Sequence, residues 1–135
     1  MCIFCMIAKG EIPSNKIYED ESVIAFLDIN PTSYGHTLVV PKEHCDSFLD
    51  CPDETRNHVF EVASKLANKL EQTLHCDGIN ILCNVHEAAG QSVNHFLVHL
   101  RRLYYAIFIT SSYYFSHCLC YYCIRCLFFK KNAIR

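Results

Sequence analysis

The chain has 135 residues and a mass of 15.6 kDa, with 51% hydrophobic and 19% charged residues, which makes one folded domain with a sizeable core and excludes a disordered chain. Its formal charge of −2 conceals a split: residues 1–100 carry six Lys/Arg against fourteen Asp/Glu, a balance of −8, whereas residues 101–135 carry six Lys/Arg and no acid, +6. An acidic body whose basic residues sit in an apolar tail offers no basic groove, so no nucleic-acid partner is expected.

In chain order, Cys2-Ile3-Phe4-Cys5 comes first. Two thiolates at that spacing can bind one metal ion, with two further ligands needed for tetrahedral zinc, or they are two small buried hydrophobes. The chain holds ten cysteines, yet its start has no basic n-region, apolar h-region or cleavage site. A cytoplasmic, reducing setting with thiols free or metal-bound is therefore expected. Residues 17–29, "IYEDESVIAFLDI", read as a polar turn followed by an apolar strand. "HTLVVPK" (36–42) is a second strand, opened by Gly35 and stopped by Pro41. From Pro52 the apolar period changes: Val59, Val62, Ala63, Leu66, Leu70 and Leu74 recur at helical spacing. This predicts a helix from Asp53 to His75, capped by Asp53 or Thr55, with Gly78 just past its end. "INILCNV" (79–85) reads as a strand, "HEAAGQS" as a loop and "VNHFLVHL" (93–100) as the last strand. The pattern predicts an α+β fold, a mostly antiparallel sheet of about five strands with one long helix.

In the last strand, alternation puts His95, Leu97 and His99 on one face and Phe96, Val98 and Leu100 on the other. His44 and His95 would complete a Cys₂His₂ set with Cys2 and Cys5, although spacing does not show that they converge. Asn84, Gly90, Gln91 and Ser92, beside His95 and His99, read as a phosphate pocket or as ordinary turn chemistry. Asp28 and His36 read as a strand-end group for a ribose hydroxyl or as turn residues. His58, His75 and His86 read as solvated or locally bonded. Cys118, Cys120, Cys123 and Cys126 have cluster-like spacing, but their wholly apolar surroundings favour coincidence.

Three blocks, "CIFCMIAKGEIPS", "AFLDINPTSYGHTLVVPKEH" and "GINILCNVHEAAGQSVNHFLVHL", resemble in order and spacing the histidine-triad (HIT) superfamily, specifically its Hint-like branch. The resemblance covers residues 2 to about 100. It implies a homodimer with a sheet running across both subunits, and a nucleotide hydrolase or transferase acting at the α-phosphate. In that family the middle of three alternating histidines attacks phosphorus to give a nucleotidyl-histidine, which water hydrolyses. The resemblance further implies that Asp28 and Ile29 contact the ribose with His36 nearby. Asn84, Gly90, Gln91, Ser92 and His99 would surround the phosphate of a purine, AMP-like nucleotide. Cys2, Cys5, His44 and His95 would match the structural zinc ligands of some members, and no organic cofactor is implied. The catalytic triad positions are His95, residue 97 and His99, and the nucleophile position holds Leu97.

Leucine forms no bond to phosphorus, and His99 lies roughly 6.5–7 Å further along by strand rise. Impaired catalysis with surviving nucleotide binding is the resulting expectation. The second reading is a non-enzymatic zinc-stabilised dimer that binds a nucleotide or a protein, membrane-associated through residues 103–129. Residues 101–135 form an atypical apolar basic tail beyond the HIT-like unit of residues 1–100. From Leu103 to Phe129 the tail runs 27 residues with Arg125 as its only full charge. A membrane segment fits its length and basic flanks, but Ser, Thr, His and Tyr interrupt it and its residues favour β-structure. A folded extension would need turns without Gly or Pro. A slipped reading frame in T-rich coding sequence fits its Tyr, Phe, Ile, Leu, Cys and Ser best, and is the favoured account.

Overall fold

Short runs of β-branched and aromatic residues build the centre of the molecule. In the computed structural model, which describes residues 2–104, β2 (Val23–Leu27) and β3 (Thr37–Pro41) pair antiparallel, from Val23 opposite Pro41 to Leu27 opposite Thr37. Nine of their ten residues are buried, so both faces of this pair are covered. The stretch 17–29 supplies two strands and not one, because Asp20 closes a turn within it. Its carboxylate accepts the Ser22 and Val23 amides at 2.9 and 2.7 Å, and β1 (Lys16–Glu19) folds back antiparallel on β2. With β4 (Gly78–Leu82) and β5 (Val98–Leu103) the antiparallel sheet has the order β1-β2-β3-β5-β4.

Side-chain alternation divides the core in two. Val23, Ala25, Val39, Val98 and Leu100 face the long helix, meeting its Val59, Val62 and Ala63. Ile24, Phe26, Leu38 and Val40 face the other way, against Phe4 and Ile7 of a short N-terminal helix, α1 (Ile3–Ala8). Leu97 packs on this second cluster, so the expected two-face division of residues 95–100 holds. The regular strand, however, begins only at Val98; His95, Phe96 and Leu97 precede it in irregular backbone. β5 also runs past Leu100, through Arg101 to Leu103, paired with β4.

Helix α2 (Asp53–Leu74) matches the predicted span to within a residue, but its caps differ. Pro52 takes the N-cap position, neither Asp53 nor Thr55 makes a capping bond, and Asp53 instead pairs with Arg56 at 2.5 Å. At the far end His75 adopts the left-handed conformation (φ 47°) expected of a glycine, and Gly78 opens β4. Two further boundaries move: β4 stops at Leu82, short of Val85, and α1 was not foreseen at all. His58 is more than locally bonded, since its Nε2–H reaches across to Asp20 Oδ2 at 2.8 Å and straps α2 to the β1–β2 turn. Among the described residues no helix is long and apolar enough to cross a membrane. The tail's first residues, Arg101 to Leu103, continue β5 across the expected break after Leu100; the readings made of the tail beyond Tyr104, including its four cysteines, lie outside the described residues.

Candidate functional site

The sheet face turned away from α2 carries two adjoining clusters. The first joins α1 to the segments that follow β3 and precede β5. Cys2 and Cys5 lie one turn apart at the start of α1, His44 follows β3, and His95 precedes β5. Cys2 Sγ lies 3.3 Å from His95 Nδ1, Cys5 Sγ lies 3.3 Å from His44 Nδ1 and 3.6 Å from His95 Nδ1, and the two Nδ1 atoms are 3.2 Å apart. All four ligand atoms fall within 4.8 Å of one another.

The hydrogen bonds around these imidazoles settle which atoms face inward. His95 is fully buried and its Nε2–H donates to the Pro41 carbonyl at 3.0 Å. His44 Nε2–H donates to Asp46 Oδ1, also at 3.0 Å. Both Nδ1 atoms are thereby left as lone-pair acceptors pointing at each other, an arrangement that repels unless a cation lies between. A tetrahedral ion with bonds of about 2.0–2.1 Å to nitrogen and about 2.3 Å to sulfur needs ligand–ligand edges of roughly 3.3–3.8 Å. The four edges given above, 3.2–3.6 Å, lie close to that figure. Burial, helped by the nearby His44, holds His95 below the usual imidazole range, and burial with the neighbouring Cys2 thiol pushes Cys5 up. Both shifts belong to a metal-free cluster, and a bound cation would reverse the thiol's.

The second cluster is a chain. Asp28, just after β2, accepts the Asn30 amide on Oδ1 at 3.0 Å, and its Oδ2 lies 3.1 Å from His36 Nδ1. The Thr32 amide also points at that Nδ1, from 3.4 Å. One nitrogen cannot donate and accept at once, and the shorter contact to a carboxylate makes Nδ1 the donor. His36 Nε2 is then an acceptor, which agrees with Arg101 Nε–H donating to it at 3.3 Å, since a guanidinium only donates. His99 Nδ1, 3.0 Å away, is the nearer donor to the same atom and shares its single lone pair with Arg101. Although Asp28, His36 and His99 lie close enough to hold an ion, the hydrogen-bond chain and the adjacent guanidinium disfavour a cation there. Burial lowers both imidazoles: His36 falls despite Asp28, and His99 is brought to about 4 by burial, Arg101 and His36. Both rings are neutral at pH 7.

This chain lines one wall of a cavity of about 600 Å³. Phe4, Ile7, Phe26, Leu38 and Val93 form its apolar part. Every residue expected around a nucleotide is on its lining: Asp28, Ile29, His36, Asn84, Gly90, Gln91, Ser92 and His99. Ile29 sits at the mouth, 91% exposed. Gln91 is an adjustment to the expectation, because its side-chain amide is committed elsewhere. Oε1 accepts the His86 amide at 2.7 Å, and Nε2 donates to the carbonyls of Asp46 and Val93 at 2.5 and 3.1 Å. It therefore staples the phosphate-side loop to the segment that carries His44. Leu97 also lines the cavity, half-buried between the two histidine clusters. The residue that the sequence reading missed is Arg101. Parity from His99 would have found it, but it lies one position beyond the compositional break.

Comparison with known proteins gives a consistent result. The model of the HIT domain matches residues 9–101. An uncharacterized HIT-like protein of Methanocaldococcus jannaschii is 49% identical over 100 residues, spanning 74% of this chain and 77% of its own. An adenosine 5′-monophosphoramidase of Saccharomyces cerevisiae is 42% identical over 99 residues, spanning 73% of this chain and 60% of its own. A solved Zn-bound histidine triad family protein from Mycobacterium smegmatis superposes with a TM-score of 0.75 at 38% identity, over 81% of this chain and 79% of its own. With a family model across most of the chain and a shared antiparallel fold, this protein belongs to the HIT family.

Proposed function

We propose that this chain is a nucleotide-binding HIT protein in which nucleotidyl transfer is impaired. The observation that carries the reading is the environment of Leu97. Its side chain packs on the Phe4–Phe26–Leu38 cluster and lines the cavity beside His99, where the family's attacking imidazole would stand. A hydrocarbon there supplies no lone pair for phosphorus. His99 keeps its own place, tied through Nδ1 to His36, and is not free to move one strand position back.

The binding half of the function survives in the residues present. The apolar part of the cavity suits a purine base, Asp28 at its rim suits ribose hydroxyls, and the Asn84–Gly90–Ser92 side offers polar groups to a phosphate. The ligand proposed is an AMP-like purine nucleotide. The relative from yeast bears the name of an adenosine 5′-monophosphoramidase, which supports a nucleoside phosphoramidate as the ancestral substrate class.

A structural zinc ion on Cys2, Cys5, His44 and His95 is part of the proposal. When bound it cross-links α1 to the segments flanking β3 and β5, and so fixes one side of the cavity. The Pro41 carbonyl and the Asp46 carboxylate accept from the His95 and His44 rings and so turn both Nδ1 atoms toward the ion's position, His95 being fully buried. A homodimer is proposed as well, on the family resemblance, with a cytoplasmic location.

The test is the hydrolysis of adenosine 5′-phosphoramidate by the purified chain, beside calorimetric titration with 5′-AMP. Binding of 5′-AMP without turnover above background is expected. Turnover that disappears in His99→Ala would contradict the reading and point to a displaced nucleophile.

A further inference from the structure

We propose that Arg101 is the phosphate anchor of the cavity, and that it makes the preferred ligand a 5′-nucleoside monophosphate, held through its doubly charged phosphate and not turned over. The inference rests on the nucleotide-binding reading above and names the ligand class and the residue that selects it.

Position comes first. Arg101 lies two residues beyond His99 on β5, so strand alternation puts it on the same face, and it lines the same cavity. Its Nε–H donates to His36 Nε2 at 3.3 Å, a lone pair it shares with His99. That bond fixes the plane of the guanidinium and leaves both terminal nitrogens to present a fork, the geometry that matches two phosphate oxygens. His36 is itself held by Asp28, so the fork is braced from behind.

Charge comes second. Among the described lining residues Arg101 is the only Lys or Arg. The two imidazoles beside it, His36 buried and His99 half-buried, are neutral, and Leu97 contributes only hydrocarbon. The Asp28 carboxylate is already engaged by His36 and the Asn30 amide. Any phosphate bound here therefore has one fixed cation to meet. A monoester carries close to two negative charges at pH 7, with a second pKa of about 6, and gains more from that cation than a singly charged ester does.

The experiment is isothermal titration calorimetry on the full chain with 5′-AMP and adenosine as probes, comparing the parent with Arg101→Met and Arg101→Lys. The parent is expected to bind 5′-AMP more tightly than adenosine. Arg101→Met is expected to weaken 5′-AMP by about 10- to 100-fold and adenosine far less, the loss of one charge-assisted contact. Arg101→Lys keeps the charge without the fork and is expected to fall between; it replaces Arg101→Met should circular dichroism show that variant unfolded. Equal 5′-AMP affinity in parent and variant, or a parent that binds adenosine as tightly as 5′-AMP, overturns the assignment of Arg101 alone. A parent that binds neither probe overturns the nucleotide-binding reading, and this proposal with it.

Discussion

Removing zinc should destabilise this fold, and substitution of His44 should abolish that sensitivity. The four donors already stand at tetrahedral spacing, so the fold pays little reorganisation on binding, and the unfolded chain has no such site. With free zinc at a hundredfold over its dissociation constant, binding adds about 2.7 kcal/mol of stability. For a described fold of roughly a hundred residues, each kcal/mol moves the melting temperature by about 4–8 °C, so chelation should lower it by roughly 10–20 °C. His44 is an instructive site because its side chain is 44% exposed and carries little packing. His44→Ala should therefore melt close to the chelated parent, with or without zinc. His95→Ala should fall further, since it also strands the buried Pro41 carbonyl at a cost of about 1–3 kcal/mol. Thermal melts followed by circular dichroism, in zinc and in EDTA, with metal content by mass spectrometry, provide the assay. A melting temperature indifferent to EDTA, or a His44→Ala variant as EDTA-sensitive as the parent, would refute the zinc assignment.

Two further predictions concern protons. His99 should titrate near pH 4 by NMR; its midpoint should rise in Arg101→Met, which removes a lowering charge, and a midpoint at the ordinary imidazole value would contradict the described burial. Because the fold excludes a proton that the unfolded chain accepts, this group makes stability rise with pH between about 4 and 6.5. His58 behaves oppositely: its bond to Asp20 raises it, so its contribution is complete below about 6.5 and fades as pH climbs through the raised folded value. Burial works against Asp20, but bonds from His58, Ser22, Tyr18 and Val23 hold it well below the carboxylate range, so its share persists above about 3.9 and is lost in acid. His58→Ala should cost about 1 kcal/mol at pH 6 and less at pH 9, read by urea melts, since the pair is partly exposed and screened; a cost that does not change with pH would show that the strap acts by packing and not charge.

Long-period signals made most of the fold legible. Helix α2 is read to within a residue because 22 residues of 3.6-period pattern average out local noise. Its caps are not, because Pro52 and His75 take positions that residue type alone assigns to others. Helix α1 has six residues, too few for a period to declare itself. The Cys2–Cys5–His44–His95 cluster is legible in residue type only. Its closure joins Cys5 to His44 across 39 positions and Cys2 to His95 across 93, a convergence that follows from strand order and not from spacing. The sequence reading takes Asp28 and His36 together and sets His99 apart with the phosphate group, since the His36–His99 bond depends on β5 lying beside β3.

The central claim is that Leu97 alone withholds the attacking group from an otherwise prepared site. The measurement that tests it most directly is the rate of adenosine 5′-phosphoramidate hydrolysis by the parent and by Leu97→His. The half-buried leucine lies beside an open cavity, which leaves room for an imidazole in its place. The parent should stay at background, and Leu97→His should gain at least about a hundredfold, as expected when a missing nucleophile returns to a set that acts as a unit. Appreciable parent turnover, or a folded Leu97→His variant that binds 5′-AMP yet gains nothing, would contradict the claim.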